Sequence, residues 1–70
     1  MTELQAFKQN FANKARRLII INGLTLQEAA YYGDTSITTI AKIKKGDYGN
    51  VTADTIFEIY QALTQNIENQ

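Results

Sequence analysis

Between Leu24 and Gly46 the chain carries start and stop signals for two short helices, set so close together that the turn between them has little freedom. Thr25 followed three residues later by Glu28 is a capping box, in which each side chain accepts a hydrogen bond from the other residue's amide. Gly33 and Asp34 break the helix so begun. Glycine reaches left-handed backbone freely, and aspartate is one of the few other residues that tolerate it. Ser36 then supplies a second N-cap, Ile40 and Ile43 share one side of the next helix, and Gly46 stops it. The expected elements are a helix over about 26–32 and a second ending near 45.

The flanking segments are helical as well. Thr2 can cap a first helix of about residues 3–22, along which Leu4, Phe7, Phe11, Ala15, Leu18 and Ile21 recur at steps of three or four. The apolar run Leu18–Ile21 resembles a strand in isolation, but Arg16 and Arg17 continue the helical pattern and Asn22-Gly23 is a left-handed stop. Four apolar residues in a row cover most of a helix circumference, so this end is expected to be buried on two sides. Thr52 caps a further helix of about 53–63, with Ile56, Ile59, Tyr60 and Leu63 inside. Thr64–Gln70 is polar and short, and only Ile67 offers an anchor for a last turn. The expected fold is all-α: a bundle of four to five helices in a single domain, residues 1–70.

Size makes stability a constraint. A core built from 70 residues leaves only a few kcal/mol, and without cysteine or histidine neither a disulfide nor the familiar zinc sites can add to it. Helix packing or dimerisation must serve instead; 44% apolar content and the absence of proline suit both. No metal or cofactor is expected. No stretch approaches the roughly 20 apolar residues of a membrane span, and the start lacks the order of a signal peptide, so a soluble cytoplasmic protein with no membrane partner is expected. Catalysis is not expected either. There is no histidine or cysteine, no glycine-rich phosphate loop beside a strand, and no carboxylate pair that a helical frame brings together. Four short helices also leave little concave volume for a small-molecule ligand.

The seven basic and seven acidic residues cancel, yet they are segregated. Residues 36–46 hold Lys42, Lys44 and Lys45 with no acid, and residues 1–22 hold Lys8, Lys14, Arg16 and Arg17 against Glu3. Beyond Gly46 come Asp47, Asp54, Glu58 and Glu68 with no base. The field at a phosphate is set by charges within a Debye length, so a neutral chain can still present a basic face.

A helix-turn-helix requires a small residue where its two helices cross, a residue able to turn left-handed four positions later, and branched apolar residues under the second helix. Ala30, Asp34, and Ile40 with Ile43 occupy those places. With the opening Leu24-Thr25, Ser36, Gly46 and the returning segment Thr52–Leu63, the stretch from Arg16 to Leu63 resembles the lambda-repressor-like (Cro and Xre-type) helix-turn-helix family of phage and prophage regulators.

The resemblance implies a third helix in the DNA major groove and a homodimer on a two-fold symmetric operator in double-stranded DNA. Carried over by position, base-facing residues would be Ser36, Ile37, Thr38, Ala41 and Lys42, with the Thr39 hydroxyl beside them. Lys45, Tyr48 and Asn50 would meet phosphates or the groove edge. Gln27 stands one position after the family's phosphate-contacting glutamine, whose place Leu26 takes. Gly33 and Thr35 stand where larger apolar residues are usual, which predicts a loosely packed turn. No arginine, asparagine or glutamine lies on the reading face, so modest direct readout supplemented by phosphate contacts and DNA shape is expected. Phe7 and Phe11 have helical spacing suited to a core; yet the family's first helix usually begins near residue 12, so Leu4, Phe7 and Phe11 are also candidate dimer contacts. A sequence-specific transcriptional regulator, a Cro-like repressor, is the function implied. A protein-interaction module on the same fold, an antitoxin or anti-repressor adaptor, is the alternative, favoured by the neutral net charge and by Ile37.

Overall fold

A computed structural model describes residues 2–68 and contains four helices: α1 (Glu3–Ile21), α2 (Leu26–Tyr32), α3 (Ile37–Lys45) and α4 (Ala53–Glu68). No strand occurs among the described residues. No helix among them is long and apolar enough to cross a membrane.

Each helix begins at a hydroxyl. Thr2 and Gln5 form a capping box at α1, and Thr25 and Glu28 form one at α2. The Ser36 Oγ accepts from the Thr39 amide at 3.2 Å, and the Thr52 Oγ1 accepts from the Thr55 amide at 3.2 Å. The first three helices end alike, with a left-handed residue that lets two amides return to the last turn. At Gly23 (φ 62°) the Leu24 amide bonds the Ile19 carbonyl at 3.0 Å; at Asp34 (φ 52°) the Thr35 amide bonds the Ala30 carbonyl at 3.0 Å. At Gly46 (φ 84°) the Asp47 amide bonds the Lys42 carbonyl at 2.8 Å. These pairings satisfy carbonyls that a helix terminus otherwise leaves without partners.

One core joins all four helices: Ala15 and Ile19 of α1, Ala29 and Ala30 of α2, Ile40 and Ile43 of α3, and Ile59 and Leu63 of α4. No polar side chain is buried among the described residues. The two alanines of α2 let α3 cross closely, as small residues at a helix crossing do.

The structure corrects three sequence expectations. First, α4 runs to Glu68 rather than stopping near 63. Ile67 packs against the core and the Asn66 side-chain amide donates to the Tyr32 carbonyl at 2.7 Å, so the added turn also caps α2. Residues 69 and 70 lie outside the described residues. Second, the end of α1 is covered on one side only: Ile19 is buried and Leu18 half-buried, but Ile20 and Ile21 are 54% and 72% exposed. The buried seam of α1 runs through Ala12, Ala15 and Ile19 instead. Third, the turn is tightly packed. Gly33 is buried, and a Cβ there would lie 3.0 Å from the Ala29 carbonyl oxygen and 3.2 Å from Ile59 Cγ2. The side chains of α4 fill the space that a larger turn residue would take. Gly33→Leu is therefore expected to destabilise the protein by about 1–3 kcal/mol through overpacking, as measured by urea denaturation. A variant as stable as the parent would mean that α4 yields freely.

Candidate nucleic-acid interface

On a helix, residues four apart lie in one row. In α3 this places Ile37, Ala41 and Lys45 in one row outside the buried pair Ile40 and Ile43, with Thr38 and Lys42 in the next row. Ile37 is 45% exposed, Thr38 and Lys45 are exposed, and Ala41 and Lys42 are half-buried. Five of the residues expected to read or flank DNA thus share one outward face.

Ser36 and Thr39 lie at its edge and have a structural task. Their hydroxyls bond each other at 2.9 Å while Ser36 also accepts from the Thr39 amide. One of the two hydroxyl protons lies between them and the other remains to donate outward. Thr39 is half-buried, like Ala41 and Lys42.

Gln27 is exposed in the first turn of α2 and faces the same open concavity as Ser36 and Ile37. Leu26 turns inward against the core, so Gln27, not Leu26, presents the polar side chain there. Two further residues line this groove. Tyr31 is 79% exposed, and Asp34, whose backbone conformation the turn requires, brings a carboxylate to the rim.

The loop after α3 divides in two. Tyr48 packs against the core and is half-buried, whereas Asn50 is exposed. The Lys8 ammonium of α1 donates to the Gly49 carbonyl at 2.9 Å, so a base from the first helix sits beside this loop. Sequence reading did not place Lys8 in the site; 41 residues separate the partners and no local signal joins them.

Lys14 lies over the Phe11 ring at 5.0 Å to the centroid, an attraction between cation and ring face. Arg16, Arg17, Lys42, Lys44 and Lys45 form no ion pair among the described residues. The three lysines sit in the last turn of α3, where they also favour the negative end of the helix dipole, and the first turn carries no acid.

Phe7 and Phe11 have partners within the chain. Phe11 stands 4.9 Å from Phe57 and 5.2 Å from Tyr60, and Phe7 stands 4.7 Å from Phe11 and 5.8 Å from Phe57, centroid to centroid. The long first helix is thereby bound to α4. Leu4 lies outside this cluster and is 66% exposed, while Phe7 keeps 40% of its surface exposed.

With known proteins the chain shows no match: no family model, no curated protein and no solved structure is similar enough to pair with it.

Proposed function

We propose that α2, the turn at Asp34 and α3 form a helix-turn-helix that lays α3 in the major groove, and that the protein is a sequence-specific transcriptional regulator of the Cro type. The observation that carries this reading is the composition of α3's outward face. Ile37, Thr38, Ala41, Lys42 and Lys45 occupy it, no acid lies on the helix, and the lysines have no ion-pair partner among the described residues. Apolar, hydroxyl and ammonium groups can meet base edges and phosphates, and the first-turn amides of α3 add a partial positive charge. The lysines and the Lys8 side of the loop then hold the backbone, which sets position without reading sequence.

Helix-turn-helix dimers meet two half-sites of a two-fold operator, and we extend that arrangement to this protein. Leu4 and Phe7 supply a surface for it. They lie one turn apart, Phe7 is the exposed margin of the aromatic cluster and Leu4 lies exposed beyond it, and the Lys8–Gly49 contact sets that end of α1 beside the loop following α3. A dimer formed there brings the basic ends of both reading helices toward the operator's two-fold axis. Leu4→Glu is expected to shift the protein toward monomer without unfolding it, because Leu4 is 66% exposed and glutamate suits a helix's first turn. Sedimentation equilibrium decides this: an unchanged dimer moves the interface elsewhere.

Binding to a pool of random duplexes, selected at low and at near-physiological salt, tests the function. A two-fold motif with half-sites about 34–36 Å apart establishes an operator-binding dimer. The second reading, a protein-interaction module, draws on the exposed Tyr31 and Ile37. It gains if no motif emerges and binding to a captured partner does not weaken as salt rises.

A further inference from the structure

Two large apolar side chains face the groove between α2 and α3. Tyr31 and Ile37 line one open concavity with Gln27, Asp34 and Ser36, and keep 79% and 45% of their surfaces exposed. The Tyr31 ring, at the rim, has an edge-on neighbour in Tyr32 at 5.6 Å. Exposed apolar surface of this kind, beside the Gln27 amide, the Ser36 and Thr35 hydroxyls and the Asp34 carboxylate, fits an occupant that is apolar at one point and polar around it.

In the major groove of B-DNA the apolar point is the C5 methyl group of thymine; guanine, adenine and unmodified cytosine present donors and acceptors alone. Ile37 has neither donor nor acceptor to offer. The flanking Ser36 and Thr38 hydroxyls can each donate or accept, so they do not separate the thymine O4 acceptor from the cytosine N4 donor. The Asp34 carboxylate on the same rim can accept from the cytosine N4 donor but has nothing to give thymine O4, so a preference for thymine at this position must come from its methyl group.

We propose that Ile37, with the Tyr31 ring across the groove, receives the C5 methyl of one pyrimidine in each half-site. The protein thus favours thymine there over unmodified cytosine, and methylation at C5 raises cytosine toward thymine. The inference rests on the DNA-binding reading above and adds to it a chemical group and a sensitivity to cytosine methylation. Burying one methyl-sized group corresponds to about 0.8 kcal/mol, or about a four-fold change in Kd.

The test uses one random-core duplex pool copied three ways: with thymine, with uracil in its place, and with 5-methylcytosine in place of cytosine. Wild type and Ile37→Ser are selected on each. The wild-type protein is expected to fix thymine at one half-site position in the first pool and to lose that preference in the uracil pool. Duplexes differing by that single methyl should differ about four-fold in Kd. In the 5-methylcytosine pool cytosine should join thymine at that position. Ile37→Ser should show the same preference in all three pools, and Tyr31→Ala should show a reduced one. A wild-type protein that fixes the same base with or without the methyl overturns this inference and leaves DNA recognition standing. Retention of the methyl preference by Ile37→Ser overturns the assignment to Ile37. Recovery of no motif from any pool overturns the DNA-binding reading and this inference together.

Discussion

Ile40→Ala is expected to leave the protein largely unfolded at physiological temperature, whereas Ile37→Ser, one turn earlier on the same helix, leaves it folded. Ile40 is fully buried among side chains from all four helices, and Ile37 is 45% exposed outside that cluster. Truncating a buried isoleucine to alanine costs about 2–5 kcal/mol, because a cavity is added to the lost burial. A single core in a chain this small supplies only about 3–5 kcal/mol in total. The exposed change stays within about 0.5 kcal/mol. Thermal and urea unfolding followed by circular dichroism separates the two outcomes. Equal destabilisation would mean that α3 is rotated about its axis, and the outward row assigned here would then be the wrong one.

The helix boundaries that the sequence announces are those written in local chemistry. Thr25 with Glu28, Ser36 with the Thr39 amide, and the left-handed residues Gly23, Asp34 and Gly46 each act within a few residues, so sequence alone locates them. The end of α4 is different. Its last turn is held by Asn66 on the Tyr32 carbonyl and by Ile67 on the core, and 34 residues separate Asn66 from its partner. Periodicity misleads at α1 for a related reason. Leu4, Phe7, Phe11, Ala15, Leu18 and Ile21 fit a helical stripe, but a wide apolar stripe can be covered along either margin. The arrangement of the other helices covers the Ala12–Ala15–Ile19 line and leaves Ile21 out.

The candidate site shows the same division. The face of α3 follows from spacing around Ile40 and Ile43, so Ile37, Thr38, Ala41, Lys42 and Lys45 were legible as a group. What was not legible depends on where other elements come to rest. Lys8 joins the loop only because α1 lies across it, and Tyr31 joins the groove only because α2 sets its outer edge beside Ile37. Ser36 and Thr39 were readable as hydroxyls but not as a pair bonded to each other, which lowers what they can offer to a base. Phe7 and Phe11 lacked a visible partner because Phe57 lies far along the chain.

Replacing Lys42, Lys44 and Lys45 together by glutamine is expected to weaken DNA binding by about a hundredfold at near-physiological salt, on the basis of charge-assisted contacts discounted for exposure. The salt dependence is the sharper measurement. Each phosphate contact steepens the slope of log K against log salt by about 0.9, so losing three should flatten it by about 2.7. Glutamine keeps helix propensity close to that of lysine, and α3 needs its last turn intact for Ile43 to stay buried. The variant gives up some favourable interaction with the helix dipole, so its unfolding curve belongs beside the binding curve. Thr38→Ala supplies the contrast. Thr38 shares a helical row with Lys42 but carries no charge, so its loss should affect the ratio of specific to random DNA binding and leave the slope alone. If the lysine variant keeps the parental slope, these charges do not meet phosphates, and the basic end of α3 is only a solvated helix terminus. If both variants shift specific and random DNA alike, α3 lies on the duplex without reading it, and the target must be sought on another surface.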